Sequence, residues 1–205
     1  MSKIAISGAA TGTATFTIES PATSTNRTLT LPDETGTIVT TGITTGLSAS
    51  ALSTGTLAAA RLPAGSVLQA VFASTLTQVE GSFSTATSLG LSASITPTSA
   101  SNKILVLVSA NGLGVRGSGS TYWDGYLSRG GTNLGGFGNY IGSGLVGGWW
   151  GASLCILDSP NTTSSTTYSL NGIRQAGSDN CAFNISTGAA GTGTRSTMTL
   201  LEIVA

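Results

Sequence analysis

Apolar and polar positions alternate along much of this chain with a period of two, the period of a strand with one buried face. After residue 65 the pattern predicts strands over 66–73, 82–86, 91–96, 103–110, 121–128, 145–157, 166–173, 180–186 and 196–204. Short clusters of Gly, Ser, Thr, Asn and Pro separate them. Many short strands joined by turn chemistry predict an all-β protein whose main part is a β-sandwich of jelly-roll type. The run Lys103-Ile104-Leu105-Val106-Leu107-Val108 is almost continuously apolar, which predicts a central strand buried on both faces. Met198–Val204 reads as a second core strand. Residues 130–151 combine many glycines with Phe137, Tyr140, Trp149 and Trp150, and are expected to form a long irregular loop.

The first 42 residues carry weaker strands. Ala14–Glu19 and Arg27–Leu31 alternate, Pro32-Asp33-Glu34-Thr35-Gly36 is turn chemistry, and Thr37–Thr40 returns as a strand. A β-hairpin with so few large apolar residues needs a neighbour, either the rest of the chain or copies of itself. Residues 43–65 are rich in Gly, Ser and Thr, with Leu57–Leu62 stopped by Pro63. Three parts follow: an anchoring or oligomerising hairpin region over 1–42, a linker or shaft over 43–65, and a β-sandwich head over 66–205.

Charge narrows the function. Charged residues make up 8% of the 205, and 8 basic residues balance 8 acidic ones. Nucleic-acid binding needs a basic surface, so no nucleic-acid partner is expected. No run reaches the length of a membrane span, so no membrane insertion is expected, and the start is unlike a signal peptide. So little charge leaves a monomer poorly protected against association, and assembly into a larger particle removes part of that liability. Cys155 and Cys181 do not make a disulfide framework; two buried thiols and a bridge both stand as readings.

Candidate chemistry is sparse. The chain has no His, which removes His-based triads, imidazole shuttles and His-containing zinc sites. A glycosidase pair drawn from Asp124 and either Asp158 or Asp179 is set against turn capping by Asp158 and Asp179 and an exposed or salt-bridged Asp124; the second reading is preferred. Gly112–Gly117 matches the spacing of a dinucleotide loop, but turn and strand follow where that loop needs a helix. No catalytic residue, metal or cofactor is therefore expected. The aromatics crowd into 122–150, and aromatic rings serve cores, protein interfaces and sugar stacking alike. Tyr122, Trp123, Tyr140, Trp149 and Trp150, flanked by Arg116 and Arg129, are the candidate contacts to a subunit, a neighbour in a particle or a host surface glycan.

Three segments resemble pieces of phage tail and fibre proteins. Arg27–Thr37 is similar to a hairpin common at the starts of phage structural proteins, and Ser53–Gly65 to a tail-fibre repeat. Ser94–Val106 looks like the opening of C-terminal domains in virion proteins of marine and freshwater phages. The resemblance implies a homotrimer with an N-terminal anchor and a C-terminal head like the jelly rolls of the tumour-necrosis-factor class. It implies a protein made in the bacterial cytoplasm and carried on the virion, touching other virion proteins of the tail or the capsid shell. A short tail fibre for host attachment and a capsid decoration or cement protein both fit the length.

Overall fold

The computed structural model describes residues 61–117, 119–141, 150–185 and 193–205. The chain divides into two units, Met1–Ser53 and Thr54–Ala205, and every described residue belongs to the second. The hairpin region expected over 1–42 and the linker as far as residue 60 lie outside the described residues.

The strands are β1 (Val67–Thr75), β2 (Val79–Gly81), β3 (Thr87–Ile95), β4 (Lys103–Arg116), β5 (Thr121–Arg129), β6 (Thr132–Ile141), β7 (Trp150–Asp158), β8 (Thr166–Ala176), β9 (Asn180–Phe183) and β10 (Ser196–Ile203). The first sheet runs β1-β10-β4-β7, with β9 and β2 attached at the far end of β4, and the second runs β3-β8-β5-β6. All pairings are antiparallel. The long strands thus form an all-β sandwich in which the chain passes from sheet to sheet at most connections, the order of a jelly roll.

The core lies between the sheets. Ile104, Val106, Val108, Met198 and Leu200 face Leu89, Leu91, Ile95, Trp123, Leu127, Tyr168 and Leu170, all buried. Trp123 fills its centre, with its Nε1–H donated across the sandwich to the Gly114 carbonyl at 3.1 Å. Phe83 and Phe137 meet its ring edge-on, at centroid distances of 5.5 and 6.3 Å. Two glycines make room for these rings: a Cβ on Gly125 would lie 2.2 Å from Phe137, and one on Gly172 would lie 2.9 Å from Phe83.

Three expectations need correction. Residues 82–86 are not a strand; the strand is Val79–Gly81, and Phe83 follows with a φ of 42°. That left-handed backbone is costly for a bulky residue, and it places the ring in the core. Residues 132–141 are a strand rather than loop. The β5–β6 hairpin turns on Gly130 and Gly131, both at positive φ, between the paired Arg129 and Thr132, the pattern of a tight two-residue hairpin. Lastly, β4 is central but is buried on one face only: Ile104, Val106 and Val108 are buried, Leu105 is half-buried and Leu107 is exposed. Cys155 and Cys181 are free; Cys181 is buried, which pushes its thiol up to about 11, whereas Cys155 is exposed.

Two carboxylates share the inner face at one end of the first sheet, because Glu202 and Asp158 both pair with Ile104. Asp158 is an ion-pair partner of Arg129 and accepts a hydrogen bond from the Tyr168 hydroxyl at 2.7 Å. It ties the end of β7 to β5 and β8, a different role from turn capping. Glu202 is fully buried and is held by neutral donors: Gln69 Nε2 at 2.6 Å, the Thr98 amide at 2.7 Å, the Thr98 hydroxyl at 2.8 Å and Asn102 Nδ2 at 2.7 Å. Burial by itself raises its pKa, but the hydrogen bonds from Asn102, Gln69 and Thr98 outweigh this, and the carboxyl sits below its ordinary value.

The stability that this shift contributes is complete above the ordinary glutamate range and is lost as pH falls through the folded-state value. Urea unfolding followed by circular dichroism should therefore show an acid loss of stability that Glu202→Gln largely lacks. Parallel pH profiles for the two proteins would rule Glu202 out as its source. Glu202→Ala, which strands several buried donors, should cost about 3 kcal/mol or more at neutral pH.

Candidate interaction surfaces

The outer face of the first sheet follows from the same alternation that fills the core. Residues paired across antiparallel strands share a face, so the register lays out rows of outward side chains. One row is Ala70, Leu201, Leu105 and Leu157; the next is Phe72, Thr199, Leu107 and Cys155; a third is Ser74, Thr197, Ser109 and Ser153. Ile203 extends the apolar side, opposite Lys103. Phe72 is 66% exposed and Leu157 55%. Across the outward positions of β1, β10, β7 and the stretch of β4 paired with them, Lys103 at the border is the one charge; the Arg116–Glu80 ion pair lies farther along, where β9 and β2 attach. Apart from Thr199, the outer face of the first sheet is therefore apolar over its first two rows and hydroxyl-lined in the third, whereas the second sheet carries Ser92, Ser94, Thr167, Ser169 and Asn171 outward from β3 and β8. An apolar sheet face of this kind marks an association site more often than free surface.

The residues singled out from the sequence scatter. Trp123 is wholly enclosed and has no surface left to offer a partner. Tyr122, on β5, and Trp150, at the start of β7, are 44% and 43% exposed but belong to different sheets. Tyr140 pairs in register with Tyr122. Trp149 lies outside the described residues. Arg116 forms an ion pair with Glu80 at 2.9 Å, and Arg129 forms the inner one with Asp158. Of the other acids, Asp124 accepts from Gln175 Nε2 at 2.8 Å and Asp179 accepts from the Thr121 hydroxyl at 3.3 Å. Among the described residues no three or more His, Cys, Asp or Glu side chains gather as metal ligands would. The Gly112–Gly117 run belongs to β4 and its exit, and β5 follows it.

Sequence reasoning missed the outward leucines and Phe72. For Leu105 and Leu107 the signal is the continuous apolar run of β4, which alternation must split between two faces.

Fold and surface together define an all-β sandwich of jelly-roll order, with an apolar patch exposed on the outer face of its first sheet among the described residues. No model of a protein family matches the sequence, and no curated protein does. Among solved structures, a chain titled as the structure of infectious bursal disease virus Gx strain aligns with a TM-score of 0.29 and 15% identity. The match covers 68% of this chain and 39% of that one, so this chain spans about two fifths of the length of the viral chain. A likeness at that score adds nothing to the strand order and register described above.

The placement of Trp123 has a direct test. Trp123→Ala should destabilise the head by about 3–5 kcal/mol through the cavity it leaves. Trp150→Ala, at an exposed position, should shift stability by about 0.5 kcal/mol or less. Denaturant unfolding of both variants decides; equal losses would contradict the buried position of Trp123.

Proposed function

We propose that this chain is a non-enzymatic structural protein of a virus particle, and that its head assembles with further copies of itself through the outer face of the first sheet. The observation that carries this reading is the uncharged apolar surface of Phe72, Leu105, Leu107, Leu157, Leu201 and Ile203 on a sheet whose other side is already packed. A copy of the same chain is the fitting occupant. Close to a symmetry axis a charge meets its own copies, so a patch almost free of charge suits self-association about an axis. Because Leu107 and Leu157 are 37% and 55% exposed before association, covering each contributes about half, or less, of the roughly 1.5–3 kcal/mol of a fully exposed leucine.

The narrower reading is a homotrimeric bacteriophage virion protein, a short tail fibre or fibre-like appendage presenting the head for host attachment. The segments Arg27–Thr37, Ser53–Gly65 and Ser94–Val106, similar to pieces of phage fibre and virion proteins, support it. A cement protein on the capsid shell is the second reading, favoured by low charge and modest length. Neither reading assigns the chain any bond to break.

Light scattering of the purified chain at micromolar concentration should give three times the 20.3 kDa chain mass. Leu107→Lys should convert it to monomers with the head still folded, because the position is exposed within one chain. A monomeric unsubstituted chain would overturn the self-association reading. Antibody labelling of intact particles then separates the roles: label at the tail supports attachment, label over the shell supports cement, and unlabelled particles contradict a virion protein.

A further inference from the structure

The second sheet carries a different surface. Its strands β5, β6 and β8 bound an open groove of about 550 Å³ lined by Asp124, Tyr126, Asn133, Ile173 and Gln175. Register explains how the groove arises. Asp124 pairs with Gly138 and Tyr126 with Gly136, so the side chains of β5 stand beside positions of β6 that carry none. On the other flank Asp124 pairs with Ile173. The floor over β6 is therefore bare peptide backbone. A Cβ on Gly136 would lie 2.3 Å from the Gly125 carbonyl oxygen, so close approach of the strands requires that glycine, whereas one on Gly138 would sit 3.2 Å from Asp124 Oδ1.

We infer that this groove binds a short neutral saccharide. The lining has the chemistry that a sugar needs. The Asp124 carboxylate accepts hydrogen bonds from hydroxyl groups, and its Oδ2 is already oriented by Gln175 Nε2 at 2.8 Å. With Gln175 Nε2 given to Asp124 and Asn133 Oδ1 accepting from the Gly135 amide at 2.8 Å, Gln175 Oε1 and Asn133 Nδ2 are the amide groups offered to sugar hydroxyls, and Tyr126 and Ile173 supply apolar surface beside them. Its volume falls in the range of small-molecule sites, and five of its eleven described lining residues are glycines that leave backbone amides and carbonyls bare between the polar side chains. Other ligand classes fit less well. Asp124 is the one charged group among the described lining residues, so an anion is repelled. A lone carboxylate is too few ligands for a divalent cation. An apolar ligand would cover backbone and amide groups without satisfying them.

The site lies on the sheet opposite the self-association face, and saccharide binding does not depend on assembly. Saturation-transfer NMR on the full chain tests it, with glucose, galactose, rhamnose, N-acetylglucosamine, maltose and lactose as neutral probes and sialic acid and glucose 6-phosphate as charged controls. The expected result is transfer to at least one neutral probe and not to the anionic ones. Asp124→Ala should weaken binding about tenfold or more, and Gly138→Val, which fills the floor, should abolish it. Unchanged thermal midpoints keep loss of binding distinct from loss of fold; if Gly138→Val lowers the midpoint, the Asp124→Ala titration decides. No transfer from any neutral probe, undiminished binding in Asp124→Ala, or preference for the anionic probes would overturn the inference. Leu107→Lys should bind the sugar as the unsubstituted chain does, so failure of self-association and failure of this site are read separately.

Discussion

Alternation within β4 is the constraint on which the rest of the molecule depends. A strand presents successive side chains to opposite faces, so Ile104, Val106 and Val108 can enter the core only if Leu105 and Leu107 leave it. Hydrogen bonding to β10 on one side and β7 on the other locks that register, and a one-residue slip would exchange the two sets. The neighbours obey the same division. Leu200 and Met198 go in while Leu201 comes out, and Ile156 is turned toward the core while Leu157 is exposed. Core and exposed apolar face are thus two sides of one pattern, and neither changes without the other.

Polar groups secure the edges of this arrangement. The inner-face row Glu202, Ile104 and Asp158 places two carboxylates beside an apolar residue at one end of the sandwich. They are satisfied by different means. Asp158 has a cation and a phenol, while Glu202 has only amides and hydroxyls drawn from β1 and the β3–β4 connection. At the opposite end Asn184, at a φ of 58°, closes the turn after β9: its amide donates to the Asn111 carbonyl and its side chain donates to the Thr77 carbonyl at 3.0 Å. Side chains of this kind define where strands stop, which apolar contacts alone do not.

Much of the fold was legible because period-two patterning and turn residues are local signals. Strands β1, β3, β5, β8 and β10 fall close to where alternation places them. The failures have physical causes. β6 contains Gly135, Gly136 and Gly138, which carry no side chain to show a pattern, so only the Gly130-Gly131 turn announced the hairpin. Phe83 looks like part of a strand because nothing local shows a left-handed backbone held by core packing. The run in β4 predicts burial on both faces because Ile104 to Val108 are all apolar, but alternation sends Leu105 and Leu107 to the outer face, where no second layer covers them among the described residues. Arg116 and Arg129 stand among the candidate partner contacts because their carboxylate partners within the chain, Glu80 and Asp158, are distant in sequence. Asp124 stands out in the sequence as a lone acid, but its groove does not, for the reason that hides β6: five of the eleven described lining residues are glycine.

The two outward faces of the sandwich point in opposite directions, and this bears on how a weak ligand would be held. If the first sheet turns toward a three-fold axis, the grooves of the second sheet all face away from it, one per subunit. A shallow, open groove releases a single sugar quickly. Three grooves on one rigid body, meeting a surface that repeats the same sugar, would rebind before all let go, and the retention of the whole would exceed that of any one site by orders of magnitude. On that geometry attachment strength is set by the spacing of the ligand on its surface as much as by the chemistry of the groove.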